Sequence, residues 1–394
     1  MNDRSDRFLT FLNLARWTSA IVAISYHLRF LLLVNYDAAP DKHILRTGFY
    51  FLTGLGHESY AVFFILDGVY VGLILQQRRA LATADGPGVR HYVGALYRLV
   101  LPGLLLGAAL DFGGARQFGA TGVYTDYPEF STLALAPMVF LGNLLMLQPW
   151  LVPEFGSNSM LYLPAWLFWY FAVLLAFIQA AKLGRVGALA ARVVLVAAVL
   201  ALMPYTFLIW AAIWLAGVGL VFLLEARAWR PSLLLALPLF GATLIASRLL
   251  APYTADIPQP MRDWLIQSGF LLVGLGFAAI VWALYPKRTP QDAQQPAQLA
   301  GAVAAHTLGW SAQSASFAFY FHFPVTMLFA AAGAAWWDQA LKRQPDLATL
   351  AWFACLLVVC VVVAALVTRA TKAVLDLFVG TAKPVPLTGQ RREG

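Results

Sequence analysis

Four ionisable residues stand where the surrounding sequence offers no water. In LARWTSAIVAISYHLRF, Arg16 and His27 are eleven residues apart. At about 100° per residue both fall on one helix face, roughly 16 Å apart along the axis. Asp67 lies at the centre of VFFILDGVYVG, and His322 at the centre of SFAFYFHFPV. A neutral histidine in a dry site is a general base for a hydroxyl, and a carboxylate can orient or balance the imidazole. An arginine can polarise a carbonyl or hold phosphate oxygens.

Each of these side chains also has a purely structural reading. A charge at the centre of a membrane helix costs on the order of 3 kcal/mol, so it is retained only for a reason. Arg16 can snorkel towards the membrane surface, and His27 and His322 can hydrogen-bond neighbouring helices. Asp67 can close a fold-stabilising ion pair with His27, Arg16 or Arg98. The spacing by itself is cheap, because Arg46 and His57 repeat it in a loop.

A second group, Arg78, Arg79, Arg90, His91 and Arg98, follows the second apolar run. It serves as a topology signal without any ligand. It also suits a polyanionic substrate, because arginine forks match phosphate oxygens and Arg98 opens a helix at RLVLPG. No glycine-rich phosphate loop, metal-ligand spacing or serine-nucleophile elbow is present in the sequence, so no metal site is expected.

The elements that must carry these residues are apolar. Hydrophobic residues make up 61% of 394 and charged residues 12%, with a mean hydropathy of +0.71. Soluble domains carry about a quarter charged residues, so this chain belongs in lipid. The net charge of +8 sits in short loops between apolar runs, which is topology control and not a nucleic-acid surface. Cys355 and Cys360 share one apolar run, point to different helix faces and are not expected to pair. A polar start running into a long span predicts no cleavable signal.

Spans are predicted at Phe8–Val34, Glu58–Gln77, Gly94–Phe112, Leu161–Ala181, Val186–Met203, Tyr205–Leu224, Ser232–Leu250, Gln267–Tyr285, Trp310–Trp336 and Leu350–Thr368. Lipid leaves no partner for unpaired backbone groups, and the pattern does not alternate as a barrel would, so the spans are helices. Asp37–His57 and Pro286–His306 read as loops. Basic residues favour the cytoplasmic side of short loops. Arg4 and Arg7, the Arg78–Arg98 group, Lys182/Arg185/Arg192, Arg227/Arg230, Lys287/Arg288 and Arg369/Lys372 agree only with an even number of crossings between Arg98 and Lys182. Leu133–Trp150, broken by Pro137, Gly142 and Asn143, is therefore read as re-entrant or interfacial, with an eleven-span chain as the alternative. The expectation is an all-α polytopic bundle of about ten transmembrane helices, both termini cytoplasmic. It forms one domain over 1–380, with a cytoplasmic tail over 381–394.

Taken in order, these residues resemble the family 3 integral membrane acyltransferases, which O-acylate cell-envelope and secreted glycans. ARWTSAIVAISYH, with Arg16 and His27, is similar to the family's opening arginine-to-histidine motif. YAVFFILDGVYVG resembles its phenylalanine-rich second span, with Asp67-Gly68 where the family usually has serine-glycine. YRLVLPGLL matches an arginine-rich start to the third span through Arg98 and Pro102. SFAFYFHFPV resembles the late tyrosine-x-histidine-x-proline stretch through Tyr320, His322 and Pro324. Trp166, in LPAWLFWYFAVLL, stands where the family often has a tryptophan-serine-leucine-x-x-glutamate run, without the glutamate.

The resemblance covers nearly the whole chain and implies a function. An acyl group, acetyl by family habit, would pass from cytoplasmic acyl-CoA to a hydroxyl of a polysaccharide or lipid-linked glycan in the bacterial inner membrane. His27, Arg16 and Asp67 would be catalytic, and Arg78, Arg79, Arg90 and Arg98 would hold the acyl-CoA phosphates. Tyr320, His322 and Trp166 would contact the acceptor. No cofactor would be permanently bound, and an envelope polysaccharide synthesis complex is a candidate partner. Two readings from other classes stand beside it: a proton-coupled transporter or flippase for a glycan or lipid-linked sugar, and a non-catalytic scaffold.

Overall fold

The computed structural model describes residues 3–76, 87–125, 134–148, 150–226, 229–286, 302–303, 305–307, 309–337 and 342–379. Among them are twelve α-helices and no strand. We number them α1 (Asp3–Leu32), α2 (Ile44–Leu52), α3 (Gly56–Gln76), α4 (Pro87–Phe118), α5 (Pro137–Leu144) and α6 (Tyr162–Gln179). There follow α7 (Gly184–Leu202), α8 (Tyr205–Ala226), α9 (Leu233–Tyr253), α10 (Met261–Leu284), α11 (Trp310–Trp337) and α12 (Leu347–Val379).

Nine apolar stretches among the described residues are long enough to cross a membrane, and one of them, Tyr162–Leu202, runs for 41 residues. A single helix of that length would span about 60 Å, twice a hydrocarbon core of roughly 30 Å. Gly184, at φ 77°, breaks it into α6 and α7, giving ten helices of spanning length. The chain is a multi-pass membrane protein built as an all-α bundle. Its outer helices present to lipid what water would reject: Val186 is 83% exposed and Leu234 88%.

Side-chain pairings fix the sense of the central helices. Asn13 and His27 of α1 meet Ser311 and His322 of α11, so these two run parallel. Tyr60 of α3 lies beside His27, whereas Asp67, further along α3, faces Arg16, so α1 and α3 are antiparallel. The end of α1 is tied to the approach to α12 by paired backbone bonds, Arg343 N–H to Leu32 C=O at 2.9 Å and Val34 N–H to Arg343 C=O at 3.0 Å. We call the Leu32 end of the bundle the distal end.

One expected loop holds a helix, and the segment expected to be re-entrant or interfacial holds one too short to cross. Asp37–His57, read from sequence as irregular, contains the nine-residue helix α2. The sequence reading missed it because it is far too short to span. Within Leu133–Trp150 the described residues form only α5, of eight residues. At 1.5 Å per residue it rises about 12 Å and cannot cross. Met138, at 73% exposed, lies on its surface. The Arg78/Arg79 loop, Arg227, Lys287, Arg288 and the 381–394 tail lie outside the described residues.

The bundle core is α3, which is buried along nearly its whole length. Glycine makes this possible where α3 crosses α8. A Cβ on Gly68 would stand 2.1 Å from the Trp214 carbonyl oxygen, and one on Gly217 would stand 2.5 Å from that of Ile65. Small residues at such a crossing let backbones touch, which is how helices associate in lipid. The second central helix, α11, is broken. Phe321 has non-helical angles (φ −125°, ψ 16°), and Pro324 sits just beyond, where its missing N–H leaves a carbonyl of the preceding turn without its partner.

Candidate active site

The four intramembrane residues form two pairs, not one constellation. The first is His27 with His322. His27 Nδ1 lies 2.8 Å from His322 Nε2, and both rings are buried. Its own helix α11 orients His322, whose Nδ1 lies 2.8 Å from the Ala318 carbonyl oxygen and 3.1 Å from that of Phe319.

Those contacts assign the protons. Carbonyl oxygens only accept, so His322 Nδ1 carries its hydrogen and Nε2 is left with a lone pair. His27 Nδ1 must then donate to it. In neutral His27 the remaining nitrogen, Nε2, is a bare acceptor. Its one neighbouring donor is the Tyr60 hydroxyl at 3.4 Å, a long bond that a better donor would replace. The arrangement is a base held in one tautomer, the role that a carboxylate plays in a hydrolytic triad.

The second pair is Arg16 with Asp67. Both line a cavity of about 30 Å³ with Phe63, Tyr70, Tyr92, Gln313, Ser316 and Tyr320, room for roughly one water. No ion pair closes across it. Asp67 Oδ2 accepts from Tyr92 Oη at 2.9 Å and from Trp214 Nε1 at 2.8 Å. The guanidinium of Arg16 makes no hydrogen bond or ion pair among the described residues, and it feels Asp67, Tyr70 and Tyr320 only through space. The Tyr70 hydroxyl is also buried without a partner. A desolvated, unpartnered guanidinium next to an orphaned phenol is a site prepared for an acceptor-rich group.

The sequence-based expectation that Asp67 orients His27 is corrected here. His322 is the residue hydrogen-bonded to His27, and Asp67 is occupied by Tyr92 and Trp214. The reason is axial distance, since Asp67 lies two helical turns along α3 from Tyr60, level with Arg16. Between the pairs stands a barrier of rings, with Phe63 and Phe319 stacked at 4.1 Å and Tyr320 edge-on to Phe63 at 5.3 Å.

Among the remaining candidates, Arg90 and Arg98 are exposed on the first half of α4, towards the N-terminal end of the bundle; α4 starts at Pro87, so Arg98 does not open a helix as the sequence suggests. Arg98 is close enough to act electrostatically on Tyr70 of the cavity. Tyr320 lines the Arg16 cavity and not the histidine pair. Trp166 packs edge-on against Tyr162 at 5.0 Å and Phe207 at 5.7 Å, on a different helix from any of the four. Arg78 and Arg79 lie outside the described residues.

Several participants carry no sequence signal. Tyr92 and Trp214 look like ordinary membrane aromatics until their polar atoms are found on Asp67. His306 neighbours Thr307, which lines the cavity, and burial together with the Arg16 charge holds its imidazole below the ordinary histidine value. His57, set aside as a loop residue, stands against Tyr26 at 5.5 Å and Tyr60 at 5.2 Å, next to the histidine pair. Among the described residues no group of acidic, histidine and cysteine side chains could hold a metal ion. No protein-family model matches the chain, and no curated protein or solved structure matches it.

Proposed function

We propose that this protein is a membrane O-acyltransferase, moving an acyl group, acetyl by default, from cytoplasmic acyl-CoA to a hydroxyl of a cell-envelope or exported glycan. The observation that carries this reading is the bare Nε2 of His27, fixed in its tautomer by His322 inside the bundle. In a direct transfer, Nε2 takes the acceptor hydroxyl proton as the oxygen attacks the thioester carbonyl. The carbon–sulfur bond then breaks, and the imidazolium returns the proton to the departing thiolate. Arg16 offers an uncommitted guanidinium to the carbonyl oxygen or the thioester arm. Arg90 and Arg98, exposed on the arm's side of approach, suit its phosphates. The donor would enter from the end bearing the N-terminus, taken as the cytoplasmic face of a bacterial inner membrane. Its arm must part the Phe63–Phe319 stack to reach His27.

A second reading has one observation in its favour. A broken helix near the membrane middle, beside uncompensated charges, is also a transporter feature. The broken α11 and the open Arg16–Asp67 pair fit a proton-coupled carrier or flippase.

One experiment separates them: release of CoA thiol from acetyl-CoA by purified protein in nanodiscs with a mixed glycan pool, wild type beside His27→Ala. Thiol release that disappears in the variant is the expected result. Equal release by a correctly folded His27→Ala protein would remove His27 from the chemistry. No release and no acetyl-CoA binding by either protein would favour the carrier.

A further inference from the structure

At the distal end two arginines meet with no carboxylate to pair them. Arg29, in the last turn of α1, directs Nε at the Thr53 carbonyl oxygen at 3.5 Å, and its guanidinium lies 5.7 Å from the ring centres of both Tyr26 and Tyr50. Arg248 of α9 comes to the next residue of the same turn, where a Cβ on Gly54 would stand 2.5 Å from Nη2. The two guanidiniums are near enough to repel each other. Neither makes an ion pair among the described residues, and Arg248 Nε is buried with no partner.

The other charged and titratable groups nearby form no ion pair with them. Glu58 feels Arg248 but lies beyond ion-pair distance of it, and its carboxyl accepts from Ser247 Oγ at 2.9 Å. His57 feels the Arg248 charge and is held between the rings of Tyr26 and Phe270. Arg46, on α2 of the same end, is engaged by Asp41. Holding two like charges together in a part-buried turn is unfavourable unless an anion joins them, and paired guanidiniums present a fork that fits carboxylate or phosphate oxygens.

The position of this turn says what the anion belongs to. Tyr26 contacts His27 edge-on at 5.2 Å and His57 at 5.5 Å. Tyr60, bonded to His27 Nε2, lies against His57. The arginine pair is therefore separated from the basic nitrogen only by the Tyr26–His57 wall. We propose that Arg29 and Arg248 form an oxyanion-binding subsite for an acidic acceptor, a glycan bearing a carboxylate or phosphate close to the hydroxyl that His27 deprotonates. Only the word acceptor rests on the acyltransferase reading; the anion site stands on the arginine geometry.

The test measures binding without acyl-CoA, in zwitterionic nanodiscs, so it does not depend on turnover. Three probes are compared by titration calorimetry: tri-galacturonate, its neutral methyl ester, and glucose 1-phosphate. At least one anionic probe is expected to bind at least tenfold more tightly than the ester, with affinity falling as salt rises. Arg29→Gln and Arg248→Gln should each weaken it at least tenfold, and Arg248→Lys should restore part of it. Equal binding of acid and ester, absence of anion binding, or an affinity untouched by both Gln substitutions would overturn the proposal. Loss of glycan binding when phosphatidylglycerol is added to the discs would also overturn it, by giving the site to a lipid headgroup. Anion binding without any thiol release would refute the acyltransferase reading alone. Thiol release with neutral glycans and no anion binding would refute the subsite alone.

Discussion

His322 Nε2 receives the Nδ1 hydrogen of His27 across 2.8 Å, and the carbonyls of a broken helical turn fix which nitrogen of His322 can receive it. His322 thus takes its tautomer from its own helix, whose Ala318 and Phe319 carbonyl oxygens can only accept. His322 acts through His27 and is a positioning residue. His322→Phe keeps a planar ring but removes the imidazole acceptor, leaving His27 only the hold of the Ala23 carbonyl, so Nε2 is less firmly aimed at its substrate. The expected result is a loss of about a hundredfold in kcat for thiol release, the lower end of general-base contributions, with KM for acetyl-CoA unchanged. His322→Gln, which keeps an acceptor, should retain part of the rate. A variant with normal kcat, or with only KM altered, would show that the pair is structural.

Asp67 separates a charge role from a hydrogen-bonding role. Its Oδ2 serves both Tyr92 and Trp214, and Tyr92 has a fallback in the Leu167 carbonyl oxygen at 3.4 Å, whereas the Trp214 indole has no second acceptor among the described residues. Asp67→Leu should leave that indole buried and unpaired, at a cost on the order of 1–3 kcal/mol. Asp67→Asn keeps an oxygen for it and should be clearly more stable than the leucine variant. Denaturation in mixed detergent micelles would compare the two, and equal stability would mean the indole bond contributes nothing measurable.

Gly68 answers a different demand from its neighbour. The α3–α8 approach that delivers Trp214 to Asp67 leaves 2.1 Å for a Cβ on Gly68, against rigid backbone. Gly68→Ala should destabilise by about 1–3 kcal/mol through overpacking and should also displace Trp214 from Asp67. Gly219, on the same helix as Gly217, has nothing within 4 Å of its added Cβ. Gly219→Ala is therefore the matched control and should melt with the wild type. Thermal melting in nanodiscs, followed by tryptophan fluorescence, reports both effects.

The apolar runs were enough to read the ten spanning helices, because lipid permits one solution for a backbone that cannot bond to solvent. Gly184 explains why Leu161–Ala181 and Val186–Met203 had to be read apart despite their continuous hydropathy. Arg16, His27, Asp67 and His322 stood out because lipid makes each expensive. Which of them meet was not legible: His27 and His322 are 295 residues apart, and their contact depends on the axial stagger of α1 against α11. Tyr92, Trp214 and Tyr60 were invisible for another reason. Aromatics are common in such helices, and only tertiary geometry shows whether a hydroxyl or indole N–H is used. Arg29 and Arg248 carry no signal of their own in the sequence, since the Thr53–Gly54 turn that unites them lies in a segment expected to be a plain loop.

The crossing count has consequences that labelling can check. With ten crossings, the turn before α2, the segment after α5 and the turn before α10 all lie at the distal end. Asp41, Leu151 and Asp256 are exposed there, while Arg90 is exposed towards the opposite end. In a background with Cys355 and Cys360 replaced by serine, single cysteines at Asp41, Leu151 and Asp256 should react with a membrane-impermeant maleimide added to intact cells. A cysteine at Arg90 should react only after permeabilisation. An eleventh crossing in Leu133–Trp150 would put both Leu151 and Asp256 on the side opposite Asp41, because four spanning helices, an even number, lie between those two positions, so protection of both cysteines with labelling at Asp41 would refute the ten-helix arrangement. Labelling at Arg90 but at none of the other three in intact cells would keep the fold and invert the orientation. The arginines of α4 would then lie on the wrong side for a cytoplasmic acyl donor, and the acyltransferase reading would fail on topology before any assay of chemistry.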